Sequence, residues 1–144
     1  MKIEYPKTPG QPTRTIEADP ENDFLINEDE LDFEACRIGT TLVKYGDIYA
    51  HWKAHLYWWE DEVKRVSAEV SLLVRAANAG SKITEGKVKE LTLVDEQYVE
   101  ALKSLYDVRV MALKAESWWR AAQHKSDLLK MLGYKQNNEI KRGN

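Results

Sequence analysis

Cysteine is almost absent from this chain. Cys36 stands alone among 144 residues, so neither an intramolecular disulfide framework nor a cysteine-based zinc cluster can form. All four prolines (Pro6, Pro9, Pro12, Pro20) fall in the first 20 residues and glycine numbers only 7, leaving little material for the tight turns of an all-β fold. No apolar run approaches 18 residues, and the start MKIEYPKTPG lacks an apolar signal core. A cytoplasmic protein with no membrane association is therefore expected. Excess positive charge is missing too. The net formal charge is −3, which excludes a uniformly basic nucleic-acid binder. What is present, 43% hydrophobic and 31% charged residues, is enough for one folded domain rather than a wholly disordered chain.

The charge is unevenly spread. Residues 1–36 hold 3 basic and 10 acidic side chains, whereas residues 109–144 hold 8 basic and 3 acidic ones. Residues 1–26 show no helical period, and their proline spacing favours extended chain. They are expected to be an acidic, proline-bearing flexible arm that the fold does not need. Its acids would compete with DNA for basic surface, dock on a basic partner, or simply be solvated. Residues 27–134 are expected to form a helical hairpin, and 135–144 a basic polar tail that frays.

The hairpin rests on apolar spacing. Asn27 with Glu30 resembles a capping box, and Ile26 with Leu31 a hydrophobic staple. From Leu31 the residues Ile38, Leu42, Tyr45, Tyr49, Trp52, Leu56, Trp59, Val63, Val66, Val70 and Leu73 recur at steps of 3, 4 or 7, the seam of a long helix. Gly39 and Gly46 weaken it, so two helices, about 27–39 and 41–79, are as compatible with the pattern as one. Gly80 marks a stop, Thr84 to Leu93 a short helix, and Asp95 the cap of a second long helix. That helix's seam runs from Tyr98 and Ala101 to Ala122 and Leu129, and Gly133 would end it. The fold class is all-α: a long antiparallel helical hairpin, two long helices plus a short one at the connection. The second helix carries more apolar surface than one partner covers. Leu102, Leu113, Leu128 and Leu132 are the expected interface of a homo-oligomer.

Catalytic chemistry is hard to find. His51 and His55 have zinc-compatible spacing, but Trp52 stands where a metalloprotease needs glutamate. The acidic Glu60, Asp61 and Glu62 lack the Glu-x-x-His pairs of a di-iron bundle, and there is no phosphate-binding glycine loop or nucleophile elbow. No enzyme activity, metal or cofactor is expected. Two tryptophan pairs, Trp58-Trp59 and Trp118-Trp119, each put one ring in a seam and one outside it. Trp58 and Trp118 are then packing anchors or stacking platforms for single-stranded nucleic acid. Around the connection lie Lys64, Arg65, Arg75, Lys82, Lys87 and Lys89, a modest positive patch. Repeated around an assembly it becomes a phosphate-binding surface.

The acidic start INEDELDFEA, the long stretch KYGDIYAHWKAHLYWWEDEVKRV, the glycine-ended turn after Arg75 and the second long stretch ending in WWRAAQHKSDLLKMLG come in an order that resembles the phage recombination mediators of the UvsY type. The resemblance spans about residues 27–143 and has no counterpart for residues 1–25. It implies a non-enzymatic protein that binds single-stranded DNA, assembles into a ring-shaped homo-oligomer, and helps a RecA-like recombinase displace single-strand binding protein. Of that family's basic DNA contacts, only Arg75 has a match here; Lys64 and Arg65 are added from charge alone. The competing expectation is a coiled-coil scaffold or virion-assembly protein with no DNA role, and a third is a regulatory adaptor using the acidic arm.

Overall fold

The computed structural model describes residues 1–6 and 14–143; Lys7, Pro9 and Pro12 of the expected arm lie outside them. In chain order the elements are strands β1 (Lys2–Glu4) and β2 (Thr15–Glu17), a short helix α1 (Pro20–Asp23), a 3-10 turn (Glu28–Glu30), and helices α2 (Leu31–Ala77), α3 (Glu85–Leu93) and α4 (Glu96–Arg142). The two long helices pack antiparallel, with α3 in their connection. Among the described residues no helix is long and apolar enough to cross a membrane.

Helix α2 is continuous. Its 47 residues make about 70 Å at 1.5 Å per residue, and neither glycine interrupts it. Gly39 has open space around it, whereas a Cβ at Gly46 would lie 3.1 Å from Cζ3 of Trp119. Gly46 is thus a seat for an indole, not a kink. The cap at Asn27 also differs from the capping box. Its side chain accepts from the Asp29 amide at 3.1 Å, and Glu34, not Glu30, reaches back to the Asn27 amide at 3.3 Å. Thr84 caps α3 by accepting from the Lys87 amide, and Asp95 caps α4 by accepting from the Gln97 amide at 2.9 Å. Helix α4 runs through Gly133 to Arg142, so the expected stop and the fraying tail from Lys135 are replaced by helix. Gly133 sits in open space, and nothing there forces the backbone out of its helical path.

The chain divides into two compact units. Unit 1 comprises residues 1–52 and 113–144, and unit 2 residues 53–112.

In unit 1 the described residues of the expected arm pack into the core. Strands β1 and β2 pair antiparallel, Ile3 opposite Ile16, and Ile3, Tyr5 and Ala18 are buried with Tyr45 and Ile48 of α2 and Ala115 and Ala122 of α4. The alternation Ile3–Tyr5 and Ile16–Ala18 gives this hairpin one apolar face. Polar contacts tie down the chain between β2 and α2. The Asp23 carboxylate accepts from Lys44 Nζ at 2.5 Å and Tyr45 Oη at 2.7 Å. Lys125, only 6% exposed, donates to the backbone carbonyls of Asp23 at 3.0 Å and Leu25 at 2.6 Å and pairs with Glu34 at 2.6 Å. Burial pushes the Asp23 carboxyl upward, but the Lys44 and Tyr45 hydrogen bonds outweigh it and hold Asp23 below its usual range. Glu34 is lowered chiefly by the Lys125 bond. Tyr5 donates to Asp47 Oδ2 at 2.5 Å; its burial and that bond push its pKa up to about 12.

Unit 2 has a thinner core. Val63, Val70, Val88, Ala101, Val108 and Ala112 are buried, small or β-branched side chains that let the helices approach closely. Leu73, expected in the seam, is 61% exposed, because the buried stripe of α2 has passed through Val70 toward Val74.

Candidate nucleic-acid interface

The connection is built in unit 2 by the last turns of α2, helix α3 and the start of α4. Helix α3 is short and highly charged. It presents Val88 and Thr92 inward, and the i, i+4 spacing of that pair leaves Lys87 and Lys89 on its outer flanks. Arg75, Lys82, Lys87 and Lys89 gather around this helix in two concavities. Lys82 and Lys87 line a groove of about 440 Å³ with Asn78, Ser81 and Thr84. Arg75 and Lys89 line a narrower recess of about 190 Å³. Lys64 and Arg65 are not brought to this place. They precede Arg75 on α2 by ten or eleven residues, about 15 Å of helix.

Most of these cations already have carboxylate partners. Lys64 Nζ lies 2.9 Å from Asp61 Oδ1, and that bond raises its pKa. Arg65 is held by both Glu62 and Glu69; the Glu62 bond is the larger cause of its raised pKa and lowers that of Glu62. Arg75 Nη2 pairs with Glu85 Oε2 at 2.8 Å, and Lys87 with Glu90 at 3.2 Å. Lys82 and Lys89 have no carboxylate within ion-pair distance among the described residues. The paired groups are largely solvent-exposed, so their partners are exchangeable at little cost.

The two outlying tryptophans differ. Trp58 is 49% exposed; its ring lies parallel to His55 at 5.9 Å and near-perpendicular to Trp59 at 5.1 Å. Burial lowers the His55 pKa, favouring the neutral imidazole beside Trp58. Trp118 packs against the core of unit 1, edge-on to Tyr45 at 6.3 Å, with Lys114 Nζ 5.3 Å from its centroid. Of the expected interface leucines, Leu102 and Leu113 are exposed, while Leu128 and Leu132 are half-buried in unit 1. Among the described residues no group of three or more His, Cys, Asp or Glu is placed to hold a metal ion; His51 instead contacts Asp47. Sequence reasoning passed over Ser67, Ser71, Thr92 and Tyr98, which line the recess beside Arg75. Scattered hydroxyls on three separate helical segments carry no motif.

The structure is similar to the crystal structure of the bacteriophage T4 recombination mediator protein UvsY, with a TM-score of 0.65 over 83% of this chain and 95% of that one. The two chains share a fold. Their sequences are 14% identical, so the likeness lies in the arrangement of helices. No protein-family model matches the chain, and no curated protein matches it.

Proposed function

We propose that this protein is a non-enzymatic recombination mediator. It binds single-stranded DNA through the basic connection of unit 2 and helps a RecA-like recombinase load onto DNA covered by single-strand binding protein. The observation that carries this reading is the fold shared with a recombination mediator across 95% of that protein's chain. The mechanism is multivalent. Each copy offers a few phosphate contacts around Arg75, Lys82, Lys87 and Lys89. A homo-oligomer, a ring by the resemblance, repeats them along a strand, so weak single contacts sum to a firm grip. The exposed Leu102, Tyr106 and Val110, with the half-buried Val99, recur at steps of 3 and 4 along α4 and supply apolar surface for such assembly. Trp58 adds a ring for base stacking.

The test is a titration of fluorescent single-stranded DNA at several salt concentrations. The log–log slope is about −0.7 per phosphate neutralised. Replacing Arg75, Lys82, Lys87 and Lys89 by alanine is expected to flatten it, and replacing Lys64 and Arg65 to change it less. No binding at low salt overturns the reading. A second reading, a helical scaffold without a DNA role, draws support from the carboxylates already paired with Lys64, Arg65, Arg75 and Lys87. It requires assembly without salt-dependent DNA binding.

A further inference from the structure

The narrow recess in unit 2 has a donor set that phosphate contact along an open surface does not call for. Its polar lining comes from Ser67, Ser71 and Arg75 of α2, Lys89 and Thr92 of α3, and Tyr98 of α4, with Val88 and Leu93 as apolar wall. Thr92, 4% exposed, donates to the Val88 carbonyl at 2.9 Å, so the 3.1 Å contact between Ser71 Oγ and Thr92 Oγ1 has Ser71 as donor. Those two hydroxyls are mutually fixed and form a rigid floor. The hydroxyls of Ser67 and Tyr98 and the Lys89 ammonium have no hydrogen-bond or ion-pair partner among the described residues. Three unused donors, one of them charged, therefore share a recess with Arg75. The Arg75 guanidinium is engaged by the Glu85 carboxylate at 2.8 Å, although the Glu85 side chain is 82% exposed. Glu85 is an oxyanion supplied by the chain itself to a hollow that holds two cations and four hydroxyls.

We propose that this recess binds the terminal phosphate of a nucleic-acid strand, which displaces Glu85 from Arg75. The inference rests on the single-stranded DNA reading above and names the part of the strand this recess takes. An internal phosphodiester can meet the exposed Arg75 and Lys89 from the surface, whereas seating a phosphate inside a recess walled by three helices asks the strand to enter and leave, which a strand end need not do. A terminal monoester also carries nearly two negative charges near neutral pH, matching Arg75 and Lys89, and its three free oxygens match the hydroxyl donors.

The experiment compares decanucleotides bearing a 5′-phosphate, a 3′-phosphate or hydroxyl ends, and in parallel titrates inorganic phosphate while following backbone amide NMR signals of the full chain. One phosphorylated end is expected to bind about tenfold tighter than hydroxyl ends, the scale of a charge-assisted hydrogen-bond set. The preference is expected to vanish in R75Q/K89Q and to grow about threefold in E85Q, which frees the guanidinium. All three side chains are solvent-facing, so these variants fold. Equal affinity for phosphorylated and hydroxyl ends overturns the inference while leaving single-stranded DNA binding intact. If no oligonucleotide binds, the mediator reading fails and the strand-end assignment fails with it. Phosphate-induced shifts of the Ser71 and Thr92 amides, lost in R75Q/K89Q, would then define a free-phosphate site instead.

Discussion

The two units use the same residue types for opposite ends. In unit 1, Lys125, Glu34, Asp23 and Lys44 are drawn out of water and tied to backbone carbonyls and to one another. In unit 2, Lys64, Arg65, Arg75 and Lys87 also meet carboxylates, but in the open and mostly three or four residues away on their own helix. A buried ion pair costs desolvation that only a complete hydrogen-bond set offsets, and it is strongly destabilising to break. An exposed one contributes little and is readily traded for another partner. Charge in unit 1 therefore specifies the fold, and charge in unit 2 is free to meet a ligand.

The largest effect expected from this contrast is at Lys125. K125M leaves Glu34 and two carbonyls without their donor in a closed site, at about 3–5 kcal/mol by analogy with broken buried pairs, read by urea denaturation. Deleting residues 1–26 removes Ile3, Tyr5, Ala18 and the Asp23 anchor together. It should abolish hydrogen-exchange protection around Tyr45 and Ala115 while unit 2 keeps its own. Full protection of unit 1 in the deletion would break the comparison.

Acid is expected to act on unit 1 next. Asp23 and Glu34 have folded-state pKa values below their ordinary 3.8 and 4.5. Their stabilisation is complete above the ordinary values and is lost as pH falls through the lowered ones, because the unfolded chain binds protons first. The melting temperature should fall with pH below about 4.5, and less steeply in E34Q, which has one fewer group to protonate. An equal slope in the variant would remove Glu34 from the account.

The glycines of α2 give a smaller, signed test. G46V places branched carbons against Trp119 and should cost about 1–3 kcal/mol through overpacking. G39A meets open space and should stabilise by roughly 0.5–1 kcal/mol. The smallest effect is at Arg65. R65A should leave stability almost unchanged despite two carboxylate partners, since an exposed guanidinium gains little from its ion pairs. A double-mutant cycle with Glu69 measures it.

Much of unit 2 and the helical part of unit 1 was legible in the sequence. The seam Tyr45, Val63, Val70, Ala101, Val108, Ala112, Ala115, Ala122 and Leu129 is buried as spacing requires, and Thr84 and Asp95 cap helices as their side chains dictate. Two features were not legible. The β1–β2 pairing involves three residues per strand, too short for an alternation to stand out beside four prolines. Lys125 reads as surface because lysine is rarely buried, and only partners 91 to 102 residues away make it otherwise. At the candidate site the cations were legible as a cluster near the connection. Their carboxylate partners were partly so, from i, i+3 and i, i+4 spacing, while the hydroxyl-lined recess required three helices to be placed first.

Lys125's reach to Asp23 and Leu25 also sets an order of events during synthesis. Unit 2 is one contiguous stretch, residues 53–112, and can close as soon as it leaves the ribosome. Unit 1 draws on both ends of the chain, and its N-terminal hairpin waits, with Ile3 and Tyr5 uncovered, until Ala115, Ala122 and Lys125 have been made. Contacts of such sequence separation are slow to form, and the uncovered segment is the nascent chain's point of exposure to chaperones and aggregation. A chain cut after residue 112 would thus keep a closed unit 2 while the apolar face of the β1–β2 hairpin stays uncovered.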